Sequence, residues 1–423
     1  MQRRFLGVIA AVAALGTTVS LAGCGTSGGS GDVTLKLVAA DYDVAGGESS
    51  KTYWADLTAA FEAQNPGIDV EVQIESWNDV DRKVAEMVKA GEAPDIAQIG
   101  AYADYAAADK LYSADQMLSI PVQSNFLPPL VDAGETKRVQ YGLPFVASTR
   151  LLFYNKTLFK EAGITTPPGT WAELQADAEK LKLNTDVTYP FALPLGPEEA
   201  QAETQMWLLS GGGGYTDELG RYAIDSEQNI DTFEWLKENL VDEKLTGPVA
   251  PGKLNRKDAF AAFTRGEVGM LNGHPSLLRA AEKAGIDVGT VALPGREGKA
   301  EASMGVADWI MGFKQNGHRE EIGTFLDFLF TDENVLEFAG QNDLLPVTVS
   351  ARDTMEDDPE QAHLKKFLEV LPGSVLPPVG KTSWASASGN IKKNIGDAVG
   401  PGGSPARTLE RISRDAKTAE SAE

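Results

Sequence analysis

An α/β chain of two domains is the fold this sequence predicts, and three observations point to it. Apolar residues alternate with period two in Val33-Thr34-Leu35-Lys36-Leu37 and again at Ile68, Val70, Val72 and Ile74, as half-buried strands require. Apolar residues at helical spacing separate and follow those runs, so strands and helices alternate, which implies parallel strands with covering helices. The chain has 423 residues, more than one core usually supports, so two domains are expected.

The N-terminus reads as an export signal. Arg3 and Arg4 precede an uncharged stretch whose most apolar part is Phe5-Leu6-Gly7-Val8-Ile9-Ala10-Ala11-Val12-Ala13-Ala14-Leu15. Leu21-Ala22-Gly23-Cys24 follows and holds the only cysteine. These four residues resemble the lipobox of bacterial lipoproteins, which implies removal of residues 1–23 and acylation of Cys24. A retained transmembrane span and a free or cross-linked thiol are the alternatives. Thr17, Thr18, Ser20 and several glycines dilute the second half of the segment and weigh against a span. Arg3-Arg4-Phe5-Leu6 is similar to a twin-arginine signal but lacks the usual intervening residue, so the export route stays open. The linker 24–31, rich in Gly and Ser, comes next; its last seven residues reach at most about 25 Å.

In the body, Tyr53, Trp54, Leu57, Ala60 and Phe61 predict a helix stopped by Asn65-Pro66-Gly67. A second helix runs from about residue 78 to 91, with Val80, Val84, Met87 and Val88 on one face. Residues 94–99 predict a third strand. In an open α/β sheet, ligands sit beyond the carboxyl ends of the strands. Those ends carry Asp41 and Tyr42, then Glu75 and Trp77, then Tyr102: carboxylates, aromatic faces and hydroxyls, with no nucleophile beside a base. Downstream, Thr170-Trp171-Ala172-Glu173 predicts a capping box. A helix is expected at 257–264, a strand at 268–271, a turn at 272–275, and a helix opened by Ser404-Pro405. Four glycines at 211–214 lack the following Lys-Ser/Thr of a phosphate loop and predict a turn.

Composition narrows the partners. A formal charge of −23 repels nucleic acid and anionic lipid headgroups. One cysteine and three histidines leave little for a disulfide or a zinc site, and no cofactor is expected.

Several segments together resemble the sugar-binding group of bacterial ABC-importer solute-binding proteins, which includes maltose-binding protein. They are Asp56 to Val70 with its Asn65-Pro66-Gly67 turn, Ala93-Pro94-Asp95-Ile96, and Leu143-Pro144-Phe145 with Leu152-Phe153-Tyr154-Asn155-Lys156. Gly169-Thr170-Trp171-Ala172-Glu173-Leu174, Leu271-Asn272-Gly273, Leu329-Phe330-Thr331-Asp332-Glu333 and Leu345-Pro346-Val347 continue the order. The resemblance implies a type II periplasmic-binding-protein-like fold, in which each of two lobes is a mostly parallel sheet flanked by helices. It places residues 32–146 and 304–346 in the N-terminal lobe and 147–303 and 347–423 in the C-terminal lobe, with ligand between them.

The resemblance also suggests contacts. Trp384 matches a tryptophan that stacks on a sugar ring; a tryptophan covering the hinge is the structural alternative. Trp309, where the chain crosses between lobes, is a cleft or a core residue, and Asp308 beside it offers an acceptor to hydroxyls. Ser148 and Arg150 follow the first crossing. Arg150 is a charge between apolar runs and requires partners, from a ligand or from a structural ion pair. Asn272 and His274 line a turn after a strand, and Glu203 falls where the group places cleft residues, with Glu198 and Glu199 as alternatives.

The expected function is a lipid-anchored, monomeric receptor outside the cell. It captures a sugar or oligosaccharide and passes it to the permease subunits of an ABC importer, without chemistry of its own. Two rivals remain: the same receptor for glycerol phosphate, a polyamine or another small solute, and a secreted glycosidase, which would need two carboxylates at a set separation.

Overall fold

Val33–Asp41 (β1) and Ile68–Ser76 (β2) pair in parallel over their whole lengths, Val33 opposite Ile68 and Asp41 opposite Ser76. The structure, a computed structural model, describes residues 33–42, 49–77 and 79–421. The expected signal peptide 1–23, Cys24 and the linker 24–31 lie outside the described residues. The helix Ser49–Gln64 connects β1 to β2, and Val80–Ala90 connects β2 to Ile96–Ile99 (β3). Gly67 at φ 102° and Gly91 at φ 76° end these helical connections in backbone that favours glycine.

The remaining strands are Glu135–Thr136 (β4), Val139–Gln140 (β5), Leu143–Thr149 (β6), Leu151–Asn155 (β7), Tyr189–Phe191 (β8), Val268–Gly273 (β9), Val288–Val291 (β10) and Gly305–Gly312 (β11). Among the described residues the sheets have the orders β2-β1-β3-β11-β6 and β10-β7-β9-β8, with β4 and β5 as a separate pair. In the first, β1, β2 and β3 run parallel, and β11 runs against both β3 and β6. In the second, β7 runs against both β9 and β10, while β8 is parallel to β9. Each sheet is therefore mostly parallel with one reversed strand. That strand is the one arriving from the other sheet: β7 follows β6 directly, and β11 follows β10.

This topology turns the strand ends of the two sheets toward one another. Trp309 on β11 pairs with Ile99 at the carboxyl end of β3, so Asp308 stands just beyond that end. Leu151 pairs with Gly273 at the carboxyl end of β9, so Arg150 stands just beyond that one. β6 and β11 also slip register at Asp308/Trp309: Asp308 faces Val146 and Trp309 faces Pro144, leaving Phe145 as the extra residue of a bulge.

Three crossings lie side by side where the sheets meet. Ser303 Oγ donates to the Arg150 carbonyl at 2.6 Å, and the Val375 amide donates to the Ser303 carbonyl at 2.9 Å. The Gly305 amide returns a bond to the Val375 carbonyl at 3.0 Å. Residues 348–371 pack behind these crossings, against both sheets. Asn125 Nδ2 donates to Ser350 Oγ at 2.7 Å on one side, and Phe367 meets Phe153 of β7 at 6.1 Å on the other. One apolar cluster thus runs from Leu35 and Phe61 through Phe367 to Phe263 and Leu277. Among the described residues no helix is long and apolar enough to cross a membrane.

Candidate functional site

The first sheet contributes a polar group built on Tyr42, the residue after β1. Its hydroxyl donates to Asp308 Oδ2 at 2.7 Å and accepts from Gln98 Nε2 at 3.0 Å; Gln98 Oε1 in turn accepts from the Ala40 amide at 3.0 Å. Trp77 meets the Tyr42 ring edge-on, with centroids 5.4 Å apart. Asp41 is half-buried beside Tyr42, and Glu75, two residues before Trp77, accepts from Gln73 Nε2 at 2.6 Å. Loss of water and the nearby Asp81 carboxylate push Asp308 up to about 6, against the Tyr42 hydrogen bond and the attraction of Arg150. Burial, with Asp308 adding to it, keeps the Tyr42 phenol neutral well above its ordinary range.

The second sheet contributes a network around Arg150, which is 5% exposed. Its Nη1 donates to Ser148 Oγ at 2.9 Å and to the Thr149 carbonyl at 3.3 Å, and Nη2 lies 3.7 Å from Glu199 Oε1. Glu199 is also paired with Arg256, which reaches Glu198 at 3.3 Å and His274 Nε2 at 2.6 Å. Because a guanidinium only donates, His274 Nε2 must accept, so Nδ1 carries the proton toward Ser276 Oγ at 3.0 Å. Burial and the two arginines pull His274 well below the usual histidine range, which fits that neutral tautomer. Glu203 Oε1 accepts from Trp207 Nε1 at 2.8 Å and Asn272 Nδ2 at 3.0 Å. Burial raises Glu203 to about 8 despite those bonds, so it is mostly protonated at neutral pH.

The two groups are electrostatically joined, since Arg150 acts on both Asp308 and Glu203. Ser148, Arg150, Glu203, Asn272 and His274 thus gather on one side, and Asp41, Tyr42, Glu75, Trp77 and Asp308 on the other. Three predicted contacts stand elsewhere: Tyr102, Trp309 and Trp384. Tyr102 and Trp309 are 0% and 1% exposed and pack on each other at 5.3 Å, with the Tyr102 hydroxyl donating to the Ala133 carbonyl at 2.5 Å. A Cβ on Gly142 would stand 2.7 Å from the Tyr102 ring and 3.0 Å from Trp309, so the pair is enclosed by backbone. This is the core environment that the sequence left open for Trp309. Trp384 opens the helix Trp384–Asn394, is 9% exposed, and lies 5.0 Å from the Tyr215 ring.

Gln98 and Arg256 were not anticipated. A signal for Gln98 exists: it is the polar residue inside an otherwise apolar strand, Ile96-Ala97-Gln98-Ile99, and so requires buried partners. Arg256 follows Asn255 at a helix start, a position that gives no hint of its partners 57 and 58 residues earlier in sequence.

The sequence profile of the bacterial extracellular solute-binding protein family matches residues 45–336. A Brucella abortus protein named only as a binding protein is 29% identical over 394 residues, covering 89% of this chain and 91% of that one. A maltotriose-binding protein of Pyrococcus abyssi is 27% identical over 231 residues, 53% of this chain and 47% of the other. Among solved structures, the cyclic α-maltosyl-1,6-maltose binding protein of Arthrobacter globiformis superposes with a TM-score of 0.79 at 17% identity. That match covers 93% of this chain and all of the other, and it is a likeness of fold: two lobes with a cleft between them.

Proposed function

The chain belongs to the bacterial extracellular solute-binding protein family, and we propose on that premise that it is a lipid-anchored receptor for a sugar or oligosaccharide. It holds its ligand between lobes 32–146/304–346 and 147–303/347–423 and hands it unchanged to the permease of an ABC importer. One observation supports the reading: the Tyr42–Gln98–Asp308 group and the Arg150–Glu203–Asn272 group stand at the strand ends of different sheets, near enough that Arg150 acts on both Asp308 and Glu203. Such a set offers donors and acceptors to many hydroxyls, and the Trp77 ring offers a face to apolar C–H groups. Its two arginines are already balanced by Glu198 and Glu199, so no unpaired cation there calls for an anionic ligand. The saccharides named for the Pyrococcus and Arthrobacter proteins support the same class.

Contacts to both lobes favour the closed arrangement over the open one, so binding and closure are one equilibrium. Titration calorimetry against maltose, maltotriose, a β-linked disaccharide, glycerol 3-phosphate and spermidine tests the reading. A saccharide is expected to bind near the micromolar range, about 8 kcal/mol. Binding confined to glycerol phosphate or spermidine contradicts the sugar assignment, and conversion of the saccharide to product contradicts the receptor.

A further inference from the structure

Away from the cleft, a groove of about 580 Å³ opens on the second lobe, a volume in the range that holds small molecules. Lys244, Lys253, Lys392 and Lys393 line it, with the glycine-rich loop 400–403 and one acid, Asp397. Among the described residues none of these lysines has an ion pair or a side-chain hydrogen bond. Asp397 is already engaged by Arg411 at 3.5 Å. In a chain with 61 acidic residues against 38 basic ones, four lysines converging without a free acid are an anomaly.

Helix electrostatics explains only half of it. Lys392 and Lys393 lie in the last turn of Trp384–Asn394, where a positive charge meets the negative end of the helix. Lys244 and Lys253 come from other segments. Lys253 ends the 3₁₀ turn Pro251–Lys253, and Lys244 sits at φ 57°, a left-handed backbone that a lysine rarely adopts. The floor joining these segments is backbone on backbone: a Cβ on Gly252 would stand 3.0 Å from the Gly396 Cα. The concavity is therefore held by main chain, with the lysines around its rim.

We propose that this groove binds a small soluble polyanion, a molecule carrying two or more phosphate groups, at a site separate from the interlobe cleft. Lysine ammonium groups are compact point charges, and four of them spread around one cavity match charge spread over several phosphates better than one compact anion. None of the residues that line the groove belongs to the network of Arg150, Glu199, Glu203, Arg256, Asn272 and His274, so the groove is a separate concavity on the same lobe.

Calorimetric titration of the purified chain with sodium tripolyphosphate tests the proposal. Three proteins are compared: the wild type, Lys253→Gln/Lys392→Gln/Lys393→Gln, and a charge-matched control, Lys51→Gln/Lys160→Gln/Lys365→Gln. The wild type and the control are expected to bind one tripolyphosphate, more weakly as salt is raised, and the groove variant to bind it about tenfold more weakly or worse. Orthophosphate is expected to bind the wild type more weakly than tripolyphosphate. No binding to the wild type, an equal loss in the control, an undiminished groove variant, or orthophosphate binding as tightly overturns the site. The readout is independent of any saccharide, so it stands or falls apart from the cleft assignment.

Discussion

The carboxyl of Asp308 lies between a tyrosine hydroxyl, a second carboxylate and a buried arginine, and its charge follows from those neighbours. Ionised above about pH 6, it is the strongest acceptor on its lobe, and charge-assisted hydrogen bonds exceed neutral ones. Asp308→Asn keeps the shape and removes the charge. It is expected to weaken saccharide binding about tenfold, read by calorimetry, and, because burial raises the Asp308 carboxyl to about 6, to raise rather than lower the melting temperature at pH 7. Glu203 predicts a stability effect instead. Its pKa is about 8 in the folded chain against an ordinary 4.5, so the folded state holds the extra proton and stability falls as pH rises between those values. Glu203→Gln is expected to match the wild type near pH 4.5 and to exceed it at pH 8 by up to roughly 4 kcal/mol, read by thermal unfolding at both pH values. The reverse ranking at pH 8 would show that Glu203 is ionised in the fold. Arg150 stands out in sequence as a charge between apolar runs, and Asp308 is marked only by its place beside Trp309 at an expected crossing between lobes. Trp309 and Trp384 cannot be sorted that way, because an indole serves core and cleft alike and only tertiary packing separates the two.

At the scale of elements, local chemistry carried most of the reading. The alternation at 33–37 and 68–74 predicts β1 and β2, and the structure extends both by a few residues, to Asp41 and Ser76. Thr170 and Glu173 form the expected capping box on Trp171–Asn184: Thr170 Oγ1 accepts from the Glu173 amide at 3.2 Å, and Glu173 accepts from the Thr170 amide at 3.1 Å. Thr170→Ala is expected to destabilise the chain by about 1 kcal/mol in chemical denaturation, with saccharide affinity unchanged. No change in stability would mean that the neighbouring Gly169 amide and Glu173 suffice as a cap. The β6–β11 bulge and the reversed directions of β7 and β11 were not legible from periodicity. Strand direction is set by a partner more than 100 residues away, and a bulge leaves the period-two pattern on its own strand intact.

For the whole molecule, length and strand–helix alternation anticipate two α/β units, while the resemblance to a known family supplied the cleft. Composition could not show that residues 348–371 lie behind the crossings and join both sheets into one apolar cluster. Anchoring belongs to this scale as well. Under the proposed anchoring, two acyl chains on Cys24 would give stable attachment where one is marginal, and a short linker would keep the cleft at high effective concentration near a permease. Cys24→Ala is expected to shed a protein into the medium that binds its saccharide normally yet no longer supports uptake, measured by fractionation and labelled-sugar transport. The central claim is that one ligand is gripped by both lobes at once, and the most direct measurement is calorimetry of a bound saccharide against Asp308→Asn on one lobe and Asn272→Ala on the other. Each variant is expected to lower affinity about tenfold at a stoichiometry of one ligand per chain. Full affinity in either variant, with both folded, would contradict a ligand held between the lobes.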